Sequence, residues 1–241
     1  MIPGISLSVC RDVRRMPLLA HTSRNDEASK RLREMVIGQG RFGRRCYFCD
    51  FSFGGSDLFE VHSLDHDHQN EDQGNLVPVC ELCHAPFHID LVSRKWPGDS
   101  GKIIFLPELT QPELNNLLQA VFYAMAVNAV GEENASEGKP VFQPHTVYRA
   151  LAERAALVER NPQGDVVRPS LSEPFALSRV LANMDETTYA RRDSLLYGLR
   201  YLAPQTHFVN QAQVWSSNDC AFSKLDLAAW PGIAGVVGRG N

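Results

Sequence analysis

Residues 46–84, "CYFCDFSFGGSDLFEVHSLDHDHQNEDQGNLVPVCELCH", carry two C-x-x-C pairs that decide how this part of the chain folds. Each pair can present two thiolates from a tight knuckle to one tetrahedral Zn²⁺, which lowers the thiol pKa enough to keep them ionised. A redox C-x-x-C is expected beside a βαβ pattern, and none is evident here. The sequence therefore predicts one structural zinc ion held by Cys46, Cys49, Cys80 and Cys83.

Length and composition indicate a globular chain that buries a real core. It has 241 residues, of which 44% are hydrophobic, enough for one large domain or two small ones. The longest apolar region, 114–130, is interrupted by asparagine and glutamine, so we predict no membrane span. The N-terminus lacks a basic stretch followed by a long apolar run, so we predict no secretory signal and expect a cytoplasmic protein. In that reducing compartment, closely paired cysteines favour metal binding over disulfides.

The charge is unevenly distributed along the chain. Residues 1–50 hold ten Lys or Arg against five Asp or Glu, whereas residues 51–90 hold no Lys or Arg and eight Asp or Glu. Nucleic-acid binding draws on Lys and Arg contacts to phosphate. An acidic cysteine region therefore argues against a nucleic-acid partner. The basic stretches "RDVRR" and "RFGRR" are solvated or touch an acidic partner.

Local patterns before residue 100 predict a strand, a helix and a hairpin. The alternation Ile5, Leu7, Val9 predicts an opening strand, and "NDEASKRLREMVIGQG" predicts a short helix. The stretch "FSFGGSDLFEVHSL" predicts two short strands that turn at Gly54 and Gly55, because paired glycines accept the positive φ that a tight hairpin needs.

A strand and a long helix follow the cysteine region. "KIIFLPEL" predicts the strand, and "TQPELNNLLQAVFYAMAVNAVG" predicts the helix, which begins at a capping box of Thr110 and Glu113. Six apolar residues at helical spacing form one predicted core face: Leu114, Leu117, Leu118, Val121, Phe122 and Met125.

The sequence changes character near residue 131. The connector "GEENASEGKP" is polar and glycine-rich, and helical patterns follow it, including "DETTYARRDSLLYGLRYL". The overall prediction is an α+β fold, with a small zinc-stapled ββα unit followed by a mostly α-helical C-terminal half. We divide it into a zinc-binding domain at 1–130, a helical region at 131–217 and a flexible tail at 218–241.

The run "EVHSLDHDHQNEDQGNLVPVCELCH" resembles the HNH family of nucleases. In that family a ββα unit carries a metal-binding residue, a general-base histidine next to it, an asparagine in the loop and a histidine on the helix. The resemblance implies that His62 is the metal-binding member, Asn75 the loop asparagine, and His84 or His88 the helix histidine. The general-base position falls on Ser63.

That serine argues against catalysis. An imidazole with a pKa near 6.5 can take a proton from water near neutral pH, whereas a hydroxyl needs an activating base of its own. A slipped register that recruits Asp65 with His66, or His68, fits the family layout less well. The ordinary interpretation of His62, His66, His68, His84 and His88 is that they are surface or second-shell histidines.

A wider resemblance covers residues 5–217. The stretch "GKIIFLPELTQPELNNLLQAVFYAM" after "NLVPVCELCH", with the helical ending "LLYGLRYLAPQTHFVNQAQVWSS", is similar to the IcmJ/DotN proteins of the Dot/Icm type IVB secretion system. Those proteins look like HNH units that lost nuclease residues and kept the zinc site. The resemblance implies a place in the type IV coupling complex with its inner-membrane ATPase, peripheral to the bacterial inner membrane, in support of effector export.

Two functions follow from these observations. The favoured prediction is a non-catalytic zinc-binding adaptor that contacts its partners through exposed parts of the helices near 111–130 and in the second half. The alternative is a metal-dependent HNH endonuclease that uses His62, Asn75 and His84 or His88 around a divalent ion. The residue at position 63 distinguishes the two functions, because the endonuclease needs a general base there.

Overall fold

The computed structural model describes residues 4–11, 27–38, 40–127, 143–160, 163–165, 170–215 and 219–222. Within them, two small antiparallel sheets are surrounded by short helices, and the C-terminal half is mostly helical. The predicted α+β fold class is confirmed. Among these residues, none of the helices has the length and apolar character needed to cross a bilayer.

The first half is built around a ββα unit. Strand β1 pairs antiparallel with β2, with His62 opposite Val77 and Ser63 opposite Leu76. Helix α2 (Glu81–His84) starts after Cys80 and continues into a 3-10 helix, and it packs back against β1, where the His84 and His62 ring centroids are 5.4 Å apart. The elements of this half are α1 (Glu27–Gly38), β1 (Glu60–Ser63), β2 (Leu76–Val79), α2 (Glu81–His84), the 3-10 helix Ala85–His88 and α3 (Val92–Lys95).

The opening strand was predicted wrongly. Residues 4–10 form no strand, and Ser8 pairs instead with the 3-10 helix and the residue after it: Ser8 N donates to Pro86 O at 2.9 Å, and Ile89 N donates to Ser8 O at 3.2 Å. The alternation correctly placed Leu7 and Val9 in the core. Apolar periodicity reports which side chains are buried and does not report what the backbone pairs with.

The predicted hairpin at Gly54 and Gly55 is also wrong. Gly54 has a φ of 55° and lies in a turn, but the preceding residues fold back on the first cysteine knuckle, with an isolated bridge between Arg45 and Ser52. Cys46 N donates to Phe51 O at 2.9 Å. The knuckle takes the backbone partners that a hairpin strand needs, which leaves β1 to pair with β2.

The strand and helix after the ββα unit are confirmed. They are β3 (Lys102–Phe105) and α4 (Gln111–Ala126). The capping box is present, because Glu113 N donates to Thr110 Oγ1 at 3.4 Å and Thr110 N donates to Glu113 Oε2 at 2.7 Å. Five residues of the predicted core face are buried and Leu117 is partly buried: Leu114, Leu118, Val121, Phe122 and Met125.

In its described residues, the second half contains the predicted helices and also a strand, β4 (Leu199–Leu202), that the sequence did not reveal. The strand β4 lies inside a stretch predicted as helical and pairs with β3, with Ile103 opposite Tyr201. Gly198, at φ 78°, precedes β4, and tertiary pairing then overrides the local helical pattern. The elements are α5 (Pro144–Glu153), the 3-10 helix Arg154–Leu157, α6 (Pro174–Asn183), α7 (Glu186–Ala190), α8 (Arg192–Leu195), β4 (Leu199–Leu202) and α9 (Gln205–Ala212).

The chain before and after residue 131 shares one packed core. Sheet β3–β4 joins the two sides, and α4 packs against both α5 and α9. The connector at 131–140 and most of the predicted tail lie outside the described residues, so the domain division stays a prediction. The short described stretch 219–222 packs on the core, where Phe222 stacks on Tyr123 with ring centroids 4.5 Å apart.

Candidate metal centres

Four buried cysteines form the first cluster. Their Sγ atoms all lie within 4.8 Å of one another, and the Cys49 and Cys80 Sγ atoms are 3.7 Å apart. Cys46 and Cys49 come from the first knuckle, Cys80 caps α2, and Cys83 lies within it. The predicted four-cysteine set is therefore brought together, and it can hold a metal ion.

Helix α4 donates two side-chain amides to this cluster. Asn115 Nδ2 donates to Cys83 Sγ at 3.2 Å, and Gln119 Nε2 lies 3.6 Å from Cys49 Sγ and 3.7 Å from Cys80 Sγ. Both residues are buried. Sequence reasoning missed them, although the spacing of four between Gln111, Asn115 and Gln119 on an apolar helix face was a usable signal.

The environment of the cysteines suits a cation. Burial raises the pKa of the Cys80 and Cys83 thiols well above their usual value, and Cys46 and Cys49 raise it further. Four thiolates packed this closely repel one another and are costly to desolvate. A bound cation removes both penalties, and the amides of Asn115 and Gln119 supply donors that thiolates accept.

Three buried histidines form a second cluster. The ligand nitrogens of His62, His84 and His88 lie within 4.8 Å of one another. His62 comes from β1, His84 from α2, and His88 from the end of the 3-10 helix, so the structure brings in both helix candidates. Their exposures are 2%, 3% and 7%, so the surface interpretation is wrong for these three.

Aromatic rings and two further histidines border this cluster. His62 stacks on Phe87 with ring centroids 4.3 Å apart, which fixes its plane. His66 approaches His62 at 5.4 Å between ring centroids, and His68 approaches His88 at 5.3 Å. Burial lowers the pKa of His68 to about 4, with His84 and His66 adding to the shift.

A carboxylate orients one of the three histidines. Glu60 Oε2 lies 2.6 Å from His84 Nδ1, and Lys95 Nζ binds the other carboxylate oxygen. Burial alone would raise the pKa of Glu60, but Lys95 and His84 hold it well below its usual value. A carboxylate on one ring nitrogen leaves the other nitrogen of His84 for a metal ion. Glu60 lies two residues before His62 and so on the same strand face, a signal that sequence reasoning did not use.

A second buried carboxylate connects the knuckle to the C-terminal half. Glu81 lies between Cys80 and Cys83 and is 3% exposed. Its Oε2 is 3.0 Å from His207 Nε2 and 2.7 Å from Gln211 Nε2, and its Oε1 is 3.3 Å from Lys95 Nζ. Lys95 therefore joins Glu60 to Glu81.

The remaining HNH-like positions are Ser63 and Asn75. Ser63 is buried at the end of β1. Asn75 closes the loop between the strands, because its Nδ2 donates to Asp65 Oδ1 at 2.9 Å and to Asn70 O at 3.0 Å, while Asp65 N donates to Asn75 Oδ1 at 3.0 Å. These contacts hold the loop.

Comparison with known proteins identifies one related secretion protein. The chain is similar to the type 4 apparatus protein DotN of Legionella pneumophila subsp. pneumophila, with 26% identity over 194 residues, which cover 80% of this chain and 81% of that protein. The resemblance to the IcmJ/DotN proteins inferred from the sequence is thereby confirmed. A scan against models of known families found no match.

Proposed function

We propose that this chain is a non-catalytic, zinc-binding adaptor of a type IVB secretion coupling complex, peripheral to the inner membrane through its partners. The observation that carries the proposal is the similarity to DotN, which extends over four fifths of both proteins. A match of that extent must include most of the metal-binding unit and part of the helical half. The proposed partners are other subunits of the coupling complex, including its inner-membrane ATPase.

The proposed cofactor is a single structural Zn²⁺ on Cys46, Cys49, Cys80 and Cys83. A closed set of four thiolates is typical of structural zinc and leaves no open position for substrate. These cysteines lie on one knuckle and at one four-residue helix, which bury little surface by themselves. Metal binding then contributes directly to the free energy of folding.

Three features support a scaffold over a nuclease. Ser63 occupies the general-base position and lies buried in β1. The cavity beside Glu60, His84 and His88 measures about 20 Å³, room for about one water molecule. Residues 51–90 contribute no Lys or Arg, and Lys95 is already engaged by two carboxylates.

The proposed partner surface lies in the second half. Helix α4, one of the two surfaces expected from the sequence, has ten buried residues and is mostly covered. By contrast, exposed apolar side chains occur on the second-half elements, with Tyr197 71% and Phe175 58% exposed. Aromatic residues of this kind contribute disproportionately to binding energy at interfaces.

Capture of the coupling ATPase tests the proposal. The tagged intact chain is expressed in its own cells and the retained ATPase is measured for wild type, Tyr197→Ala, Phe175→Ala and the exposed-site control Thr206→Ala. We expect wild type and Thr206→Ala to retain the ATPase and at least one aromatic variant to lose it. No retention by a wild-type protein that carries zinc would contradict the proposal. Truncation at residue 131 is unsuitable because it removes β4 and α9 from the core.

A metal-dependent nuclease is the second candidate, favoured by one observation. His62, His84 and His88 converge, and Glu60 orients one of them, as a catalytic divalent site requires. Hydrolysis of a small phosphodiester in Mn²⁺ or Ni²⁺ that disappears in His62→Ala would establish this candidate. Hydrolysis no faster than buffer would exclude it.

A further inference from the structure

We propose that the histidine cluster and helix α9 are energetically coupled through Glu60, Lys95 and Glu81, so that a divalent transition-metal ion bound by the histidines stabilises α9 in its docked position. This inference deepens the proposed function, because α9 belongs to the half assigned to partner binding. It identifies a metal-dependent control of that half.

The first step runs from the histidines to Lys95. His84 Nδ1 meets Glu60 Oε2 at 2.6 Å, and the same carboxylate binds Lys95 Nζ. The Glu60 side chain is 15% exposed and the Lys95 side chain 24% exposed. Contacts this well shielded from water are screened less than surface pairs, so a charge added at His84 is felt at Lys95.

The second step runs from Lys95 to α9. Lys95 Nζ lies 3.3 Å from Glu81 Oε1, and the Glu81 side chain is 4% exposed. The other Glu81 oxygen meets His207 Nε2 at 3.0 Å and Gln211 Nε2 at 2.7 Å. The two α9 residues are four apart, so both reach the carboxylate from one face of that helix. The cost of burying the Glu81 carboxylate is thus partly offset by the side chains of His207 and Gln211 on α9.

The backbone connection between Glu81 and His84 determines whether ion binding strengthens or weakens the docking of α9. Glu81 and His84 lie on the same four-residue helix, α2. An ion that fixes His84 therefore fixes the helix that carries Glu81 and pre-orders the carboxylate that α9 binds. A helix of one turn has little stability of its own. Ion binding and α9 docking should favour each other.

Because the coupling is reciprocal, a change that weakens α9 docking should also weaken metal binding by the histidines. Protein carrying its zinc is titrated with Co²⁺, and the visible bands of imidazole-bound cobalt are followed, with His62→Ala as the control that abolishes them. Gln211→Ala, which removes a donor to Glu81 on α9, should weaken Co²⁺ binding by roughly fivefold or more. The matched control Asn210→Ala, an exposed amide on the same helix, should leave it unchanged. Equal affinities in Gln211→Ala and Asn210→Ala would overturn the coupling.

The converse measurement needs no variant. Hydrogen exchange at residues 205–212 of the zinc-loaded wild type should slow when Co²⁺ is added, while exchange in α5 should change less. Unchanged exchange in α9, or no cobalt bound by the histidines at all, would overturn the proposal. Neither outcome contradicts the adaptor function, which ATPase capture measures separately. Capture that succeeds while coupling fails rejects only this inference.

Discussion

Asn115 Nδ2 donates a hydrogen bond to Cys83 Sγ at 3.2 Å across 32 residues of sequence, from the buried face of α4. The same amide group donates to Leu82 O at 3.0 Å, so it holds both a proposed zinc ligand and the backbone beside it. The long helix α4 thus supports the cysteine cluster directly, and the metal-binding unit is not independent of the helices that follow it.

Asn115→Ala should loosen the metal while leaving all four cysteines in place. Removing a hydrogen bond to a ligand typically costs about tenfold or more in metal affinity. Zinc transfer to a colorimetric chelator should be faster in Asn115→Ala than in wild type. Asn116→Ala, an exposed amide on the same helix, is the control and should match wild type. Identical transfer rates for Asn115→Ala and wild type would show that the N–H···S contact does not support the site.

Cys80→Ser should misfold. It removes one ligand of a cluster that exists only in the folded chain, so lost metal affinity becomes lost folding free energy. We expect insoluble protein or a broad unfolding transition without bound zinc. Cys220 is buried outside the cysteine cluster, and its Sγ donates to Phe53 O. Cys220→Ser keeps a donor there and should retain zinc, so it is the control. A soluble Cys80→Ser protein that melts normally without zinc would contradict the structural role.

Thr110→Ala should weaken α4 at its first turn. The substitution removes the side-chain acceptor of Glu113 N and half of the capping box, a loss of about 1 kcal/mol in the free energy of unfolding. Urea unfolding of the zinc-loaded protein measures it. Thr110→Ser preserves the hydroxyl and should recover most of the stability. A Thr110→Ala protein as stable as wild type would mean that packing alone fixes this helix end.

The capping carboxylate should also contribute to acid sensitivity. Hydrogen bonds from the Thr110 side chain and backbone hold the pKa of Glu113 below its usual 4.5. The unfolded state therefore takes up a proton first, so the stabilisation is present above pH 4.5 and is lost as the pH falls through the folded pKa. Glu113→Gln should make stability less dependent on pH in that window. An unchanged dependence in urea unfolding would contradict the assignment.

Asn75→Ala should loosen the loop between β1 and β2 without changing the metal content. Its side chain ties Asp65 and Asn70 together, so the substitution should speed hydrogen exchange in residues 64–75. The cysteines are elsewhere, so zinc content should equal that of wild type, and under the adaptor function so should ATPase capture. Loss of zinc in Asn75→Ala would show that the loop supports the metal unit.

The sequence predicted those features that depend on local pattern or ligand spacing. The C-x-x-C pairs, the capping box at Thr110 and the core face of α4 each follow from residues close together in the chain. The opening strand was predicted wrongly and strand β4 was missed because distant partners decide the backbone pairing there. The Gly54–Gly55 hairpin was wrong because the first cysteine knuckle takes the backbone partners that a hairpin strand needs. Ser8 pairs with Pro86, and Tyr201 lies opposite Ile103, at separations that no local pattern encodes.

The same distinction applies to the candidate site. The HNH resemblance singled out His62, His84 and His88 as candidates, and their burial and convergence appeared only in the structure. The supporting residues Glu60, Glu81, Asn115 and Gln119 were missed because the sequence does not show whether a polar side chain is buried or exposed. Their partners come from other elements, up to 130 residues away for Glu81 and Gln211.

The central claim is that a zinc-held unit serves here as a scaffold and not as a catalyst. Its most direct test is cleavage of supercoiled plasmid by protein whose zinc content has been measured, in Mg²⁺, Mn²⁺, Ni²⁺ or added Zn²⁺, beside His62→Ala. We predict about one tightly held zinc per chain and no cleavage above buffer. Cleavage by the wild type that disappears in His62→Ala would contradict the account and assign catalysis to the histidine cluster.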